Sequence, residues 1–256
     1  MSLTLTPLTG IPMVVKGDEL SAMILESLQS EGIDLQDGDV IVLAQKIVSK
    51  AEGRRIRLES FIPSQEASAL AETTGKDPRM IQAVLQESTK VVRAVANTII
   101  AEHRNGFICA NAGIDHSNVK IDEGDEPDDW ILLLPEDADK SAREIRSKLE
   151  AVSGKRIAVL IIDSHGRPWR LGTVGVTIGV SGMPALVDLR GRQDLFGRKL
   201  QITQVAAADE LAAAASLMMG QADEAVPAVH VRGFPYALRE SGLRELIRPE
   251  AQDLFR

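Results

Sequence analysis

Hydrophobic residues along the chain fall into short continuous runs and helical stripes that predict alternating strands and helices. The run Ile157–Ile162 contains no polar position, which predicts a strand buried on both faces. Val40–Ala44 predicts a second strand of β-branched and aliphatic residues. A further strand is predicted at Thr173–Val180, where glycines indicate close approach by another backbone or a ligand.

Apolar positions three and four residues apart predict helices between these strands. The predicted helices are Asp18 to about Gly32, with Asp18 as N-cap; Ser64–Thr74, capped by Ser64; a helix opening at Pro78; Asp139–Val152, with Ala142, Ile145, Leu149 and Val152 inward; and Ala207–Met219. Strand and helix segments therefore alternate along most of the chain.

The order of the elements predicts an α/β fold with a mixed (α+β) sheet. Thr98–Glu102 and Phe107–Ala110 flank Asn105-Gly106, a strong hairpin signal, so the sheet is not purely parallel. Another short strand is predicted at Leu132–Pro135. No interdomain linker is evident, which favours one domain over residues 1–256, built as two intimately connected lobes.

Composition excludes several classes of protein. A formal net charge of −8 argues against a general nucleic-acid or anionic-membrane binder. The single cysteine, Cys109, excludes an internal disulfide or multi-cysteine zinc site and is predicted to be a core residue. No apolar run is long enough for a transmembrane helix and no signal peptide is evident, so we expect a soluble cytoplasmic protein.

Candidate chemistry begins where the apolar run Ile157–Ile162 meets Asp163, Ser164 and His165. If the strand ends at Asp163, these side chains lie at the carboxyl edge of the sheet, where ligands gather in α/β proteins. Asp-Ser-His-Gly is also ordinary turn chemistry, and this segment alone favours a turn.

A second polar loop, Asn111–Asn118, carries Asp115, His116 and Ser117. Asp115 and Asp163 could converge on Mg²⁺ or Mn²⁺ with Ser164 completing the set, because hard cations prefer oxygen ligands. His116 and His165 then fit hydrogen-bonding roles better than direct metal ligation. His103 and His230 are predicted to be structural.

Three charged segments have open interpretations. Five basic residues fall between Lys46 and Arg57, which suits either phosphate contact or a solvated hairpin. Asp188–Lys199 either grips an anionic substrate or crosses the surface. Asp122–Asp129 has six carboxylates in eight residues without EF-hand spacing, which indicates a solvated insertion. Neither a Walker A sequence nor a dinucleotide fingerprint occurs.

Taken together and in this order, several motifs carry a resemblance to a known family. They are GIPMV, DGDVIVLAQKIVSKAEGR, NAGIDHSNV, IIDSHGRPWR, GRQDLFGRKL, AADELAAAASLMMGQ and VPAVHVRGF. The chain resembles the coenzyme F420-0:L-glutamate ligases over essentially its whole length.

The resemblance implies GTP-dependent addition of L-glutamate to coenzyme F420-0 through a γ-linked amide, in a homodimer whose fold is neither P-loop nor ATP-grasp. It implies Mg²⁺ or Mn²⁺, two ions in all, with K⁺ as an optional further ion. Some relatives carry a second, flavin-binding reductase domain, which is not expected in this polypeptide.

The same resemblance implies roles for individual residues. Asp115, Asp163 and Ser164 would bind metal, with Asp115, Asp163 and Lys50 as the catalytic group. The implied nucleotide contacts are Ile11, Pro12, Met13, Val14, Gln45, Lys50 and Asn118. Gln45 and Ser164 depart from the small hydroxyl residue and the threonine that are frequent in the family.

Two other functions fit the same residues. A metal-dependent phosphohydrolase would use the two aspartates to activate water and would release phosphate without an amine acceptor. A non-catalytic GTP-binding protein would bind nucleotide and turn nothing over.

Overall fold

The computed structural model describes residues 2–117, 119, 126 and 129–253. The strands are β1 Thr4–Leu8, β2 Val40–Ala44, β3 Arg55–Arg57, β4 Ser88–Val95, β5 Thr98–His103, β6 Ile108–Ala110, β7 Trp130–Leu132, β8 Ala158–Arg167, β9 Arg170–Ser181, β10 Val187–Asp188, β11 Gln204–Val205 and β12 Ala228–Arg232. The helices are α1 Leu20–Ser30, α2 Gln45–Ala51, α3 Gln65–Thr74, α4 Pro78–Gln86, α5 Ala138–Ser153 and α6 Ala207–Met219. This is a mixed α/β fold.

A five-stranded sheet in the order β1-β12-β2-β8-β9 forms the centre of the molecule. β2 and β8 are parallel and the other neighbours are antiparallel, so the predicted mixed sheet is confirmed. Ile41 and Val159 pack on one face with α1 and α5, while Val42 and Leu160 pack on the other with α6. All four are fully buried, as the apolar runs predict.

A separate hydrophobic cluster forms around α3, α4 and the sheet β4-β5-β6. The hairpin between β5 and β6 is confirmed, as are both helices; Ser64 accepts a hydrogen bond from the Ala67 backbone at 3.1 Å. Arg54 connects this cluster to the main body, because its side chain donates both to Leu134 O and to the buried Glu87 carboxylate. Among the described residues, no helix has the length and apolarity of a membrane span.

Several predicted boundaries are wrong for local reasons. The N-cap of α1 is Glu19, because Asp18 instead accepts the Val15 backbone N–H and closes the preceding turn. β7 ends at Leu132, where the predicted strand would begin. Val152 is 70% exposed, because Leu149 is the last core residue of the α5 stripe.

Two glycines of β9 allow the close approach of another backbone, as the sequence predicts. A Cβ at Gly175 would lie 2.4 Å from the Ala212 backbone oxygen of α6. A Cβ at Gly179 would lie 2.5 Å from the backbone of Ala138 in α5. Both helices therefore pack directly against the backbone of this strand.

Asp39 joins the start of β2 to β12. Its carboxylate is almost fully buried and lies 2.8 Å from His230 Nε2, while Arg232 donates to both of its oxygens at 3.0 and 2.7 Å. Burial alone would raise the pKa of Asp39, but hydrogen bonds from His230 and Arg232 outweigh it and hold the pKa far below the ordinary value. His230 is therefore structural, as predicted.

We expect Asp39→Asn to lower the free energy of unfolding at pH 7 by about 3 kcal/mol, because it leaves the buried His230 and the partly exposed Arg232 without the carboxylate that they bind. The lowered pKa means that the carboxylate stabilises the fold above its unfolded-state pKa of 3.8. The difference in unfolding free energy between Asp39→Asn and wild type should therefore shrink as the pH falls below that value. Urea unfolding titrations at several pH values measure this difference. Asp37→Asn is the matched control, since its carboxylate is exposed and accepts a single backbone hydrogen bond.

Candidate functional site

A cavity of about 520 Å³ opens where β2 and β8 separate. Ala44 and Ile162 are the last pair between these strands; the chain then enters α2, while β8 continues beside β9. The cavity is lined by Ile11, Pro12, Met13, Val14, Ala44, Gln45, Lys46, Ile47, Lys50, Val119, Ile162, Asp163, Ser164, Ser216, Met219, Gly220, Gln221, Ala222, Asp223, Glu224, Ala225, Val226 and Pro227. Sequence positions more than 200 residues apart therefore share one site.

β8 does not end at Asp163. Asp163, Ser164 and His165 continue the strand and pair with Val176, Gly175 and Val174 of β9, so both the predicted strand end and the predicted turn are wrong. The strand continues because β9 supplies hydrogen-bonding partners on one side after β2 has turned away. The polar residues consequently line a cavity beside an open strand edge.

The Asp163 carboxylate is mostly buried and lies 3.0 Å from His165 Nε2. His165 is two residues farther along the strand and so shares its face. Phe107 lies against the His165 ring, with 5.5 Å between ring centroids. His165 therefore orients the carboxylate, which agrees with its predicted hydrogen-bonding role.

Ser164 is held by a short chain of hydrogen bonds. Its hydroxyl donates to Gln221 Oε1 at 2.8 Å, and Gln221 Nε2 donates to Ser216 Oγ at 3.0 Å. Because the Ser164 proton is committed to Gln221, the oxygen lone pairs remain available to a ligand.

Asp115 is bound to the cavity wall through Lys46. Lys46 Nζ lies 2.6 Å from Asp115 Oδ2, and the Ser117 backbone N–H donates to Asp115 Oδ1 at 2.7 Å. Burial would raise the pKa of Asp115, but the Lys46 and Ser117 hydrogen bonds outweigh it and lower the pKa. Asp115 itself is not among the residues that line the cavity.

The turn before Asp115 has an unusual backbone. Asn111, Ala112 and Gly113 have φ values of 51°, 51° and 71°, all in the left-handed region. Two consecutive non-glycine residues there are uncommon and strained. The segment is held after the turn, where Asp115 exchanges two backbone hydrogen bonds with Leu132.

The segment after β2 is a helix, so the predicted solvated hairpin is wrong. α2 buries Ile47 and Val48 against the core, which leaves Lys46 and Lys50 on the cavity side. Burial lowers the pKa of Lys50, and the nearby charges of Lys46 and Arg55 lower it further. This wall of the cavity is therefore cationic.

The described oxygen donors suit a hard cation. In residues 2–117, 119, 126 and 129–253, no three His, Cys, Asp or Glu side chains gather as a metal site. Mg²⁺ in phosphoryl-transfer sites takes one or two carboxylates and fills its other positions with phosphate oxygens and water. Asp163 with Ser164 on one wall, and Asp115 beside Lys46, fit that chemistry.

Two predicted elements lie outside the described part of the chain: Asn118 and most of the acidic segment Asp122–Asp129. The connection Asp188–Lys199 is described and does not line the cavity. Cys109 is buried, and burial together with the charge of Asp163 raises its thiol pKa to about 12, so it is the core residue that its sequence context predicts.

Sequence reasoning missed the pairing of Lys46 with Asp115 and the part that the loop Gly220–Pro227 has in the cavity. Gly220 follows α6 with φ +72°, and a Cβ there would lie 2.1 Å from the Glu224 carboxylate carbon. The only signal for this loop in the sequence was a glycine at the end of a helix, followed by Gln and three acidic or small residues. It indicated a loop without indicating a ligand.

Comparison with known proteins assigns the family. Residues 10–233 match the family model described as F420-0:Gamma-glutamyl ligase. A Methanothermobacter thermautotrophicus protein named Coenzyme F420:L-glutamate ligase is 49% identical over 100% of both chains. A Methanopyrus kandleri protein of the same name is 48% identical over 94% of this chain and 92% of its own length. An Archaeoglobus fulgidus protein of that name is 41% identical over 100% of this chain and 97% of its own length. The chain belongs to the F420-0:gamma-glutamyl ligase family.

Proposed function

We propose that this protein joins L-glutamate to coenzyme F420-0 through a γ-linked amide, with GTP as the energy source. The names of its relatives support glutamate ligation to this coenzyme. The observation that carries the proposal is the cavity, where Asp163 and Ser164 lie on one wall and the cationic Lys46 and Lys50 on another. Phosphoryl transfer needs such an arrangement, because it depends on positioning and charge neutralisation.

The proposed chemistry has two steps. A carboxylate of F420-0 attacks the γ-phosphorus of GTP, which forms an acyl phosphate and releases GDP. The amine of L-glutamate then attacks the acyl carbon, loses a proton, and expels inorganic phosphate as the amide forms. The phosphoanhydride energy of GTP thereby drives amide formation, and no covalent enzyme intermediate is required.

Each wall has a proposed role. Ile11, Pro12, Met13 and Val14 contact the nucleotide, while Gln45 and Lys50 contact its phosphates. Asp115, Asp163 and Ser164 would hold Mg²⁺ or Mn²⁺, whose positive charge neutralises the phosphate oxygens during transfer. His165 orients Asp163, and the Ser164–Gln221–Ser216 chain orients the Ser164 oxygen.

We further propose that the protein forms a homodimer. Four exposed apolar side chains lie at two hairpins: Leu195 and Phe196 between β10 and β11, and Trp169 and Leu171 at the connection of β8 to β9. Leu195, Phe196 and Leu171 each exceed 90% exposure. Such projecting apolar side chains are typical of a contact with another chain.

Asp163→Asn should reduce kcat/KM for glutamate addition by on the order of 100-fold or more, because it removes a negative oxygen donor from the cavity. Mass spectrometry of F420-0 incubated with L-glutamate, GTP and Mg²⁺ or Mn²⁺ measures the added glutamate. Glu72→Gln, an exposed carboxylate of α3, should react like wild type.

The same assay separates the alternatives. GTP hydrolysis by wild type without added glutamate would favour the phosphohydrolase. GTP binding with neither hydrolysis nor product would favour the non-catalytic binder.

Lys50→Arg should extend activity to higher pH. Burial and two neighbouring cations lower the pKa of Lys50 from 10.5, so its ammonium loses the proton earlier than an ordinary lysine. Arginine stays charged throughout. In the pH profile of kcat/KM, the alkaline limb should lie below pH 10.5 in wild type and move to higher pH in Lys50→Arg. Lys155→Arg, a change at an exposed lysine, should leave the limb in place. An unmoved limb in Lys50→Arg would contradict the role of Lys50.

Light scattering after size exclusion should give wild type twice the mass of the 27.7 kDa chain. Replacing both Leu195 and Phe196 by Ser should shift the mass toward the monomer, since it removes the projecting apolar contact. Leu217→Ser, an exposed apolar side chain on α6, is the control. A monomeric wild type at micromolar concentration would contradict the dimer.

A further inference from the structure

The Gln45 amide is buried at the start of α2 and lines the central cavity. Only 1% of its surface is exposed, yet its Nε2 has no hydrogen-bond partner in the described part of the chain. A buried donor without an acceptor is destabilising, so such a group calls for a partner that arrives with water, an ion or a ligand. Gln45 therefore holds an unpaired N–H₂ donor beside this cavity.

Ser49 binds the oxygen end of the Gln45 amide. Its hydroxyl donates to Gln45 Oε1 at 2.8 Å from one helical turn away, and Ser49 is fully buried. Because Oε1 already accepts this bond, the nitrogen is the end left for a ligand. Without the Ser49 hydroxyl, the amide could rotate and present its oxygen instead.

The surroundings determine what this donor binds. Lys46, which is paired with Asp115, and Lys50 line the same cavity as Gln45, so the Gln45 amide lies on a wall that carries two lysines. A donor amide among ammonium groups suits an anionic oxygen and disfavours a metal cation. Two proposed substrates supply such oxygens: the phosphates of the nucleotide and the carboxylates of the acceptor.

We infer that Ser49 is a positioning residue, which holds Gln45 so that its amide nitrogen donates to an anionic oxygen of a substrate in the central cavity. The inference takes its substrates from the proposed function. Ser49 is buried and does not line the cavity, so it acts through Gln45.

The test is calorimetric binding of GTP, inorganic tripolyphosphate and F420-0 to the full chain, with KM and kcat for each substrate. Ser49→Ala and Gln45→Met should each raise the dissociation constant and KM of the affected substrate about tenfold, with a small change in kcat. Gln45→Glu should weaken binding more, because it replaces a donor with a negative charge. Weakened tripolyphosphate and GTP binding identifies a phosphate oxygen; weakened F420-0 binding identifies a carboxylate.

A double-mutant cycle separates positioning from general structural damage. Ser49→Ala should add no further loss in the Gln45→Met background, because the serine acts through the amide. Thr74→Val removes another buried helical hydroxyl, away from the cavity, and should leave binding unchanged. If Ser49→Ala does not fold, Ser49→Cys, whose thiol is a weaker hydrogen-bond donor of similar size, should weaken binding in the same direction and carries the test of the serine.

Four results would overturn the inference: wild-type binding retained in a folded Ser49→Ala, wild-type binding retained in Gln45→Met, tighter anion binding in Gln45→Glu, or no binding of any probe by wild type. Product formation is scored separately by mass spectrometry. Binding that depends on Ser49 without glutamate addition would therefore refute the proposed function and leave the inference standing.

Discussion

The separation of β2 from β8 is the constraint on which the site depends. The two strands are paired as far as Ala44 and Ile162; β2 then becomes α2, while β9 keeps β8 extended. This difference opens the cavity between a strand edge and a helix. It also explains why polar residues can follow a fully buried strand without a turn, since one side of β8 faces the cavity instead of another strand.

Charge is divided between the walls of this cavity. Oxygen donors lie on β8, and α2 supplies lysines; Lys46 also binds Asp115, which lies behind the cavity lining. In a partly buried site such pairs interact more strongly than on the surface, because water screens them less. In the proposed reaction, this division would place phosphate oxygens beside the lysines and a cation beside the oxygen donors of β8.

Buried ionic groups outside the cavity keep its framework in place. Asp39 holds the start of β2 to β12, and Glu87 receives Arg54 and Arg104 where the second hydrophobic cluster joins the main body. Burial would raise the pKa of Glu87, but His103 and the two arginines outweigh it and lower the pKa. These contacts join segments distant in sequence, so the two cores are linked by charge as well as by packing.

The sequence by itself determined the elements and the apolar faces that form the cores. Continuous apolar runs, Ser64 as a cap and Asn105-Gly106 as a turn have their effects locally, and β2, α3 and the β5–β6 hairpin follow from them. The full set of motifs in its order along the chain, including those around Asp115 and Asp163, also carried the resemblance to the family.

Only the tertiary structure decided where β8 ends, that Asp115 faces Lys46, and that Gly220–Pro227 and Ile11–Val14 share a cavity. Asp-Ser-His-Gly has the local chemistry of a turn, and β9 overrides it by supplying hydrogen bonds from residues that follow in the chain. Similarly, nothing near Gln45 in sequence reveals that its amide nitrogen lacks a partner among the residues that the structure describes. Pairing and burial depend on distant segments, so local pattern could not specify them.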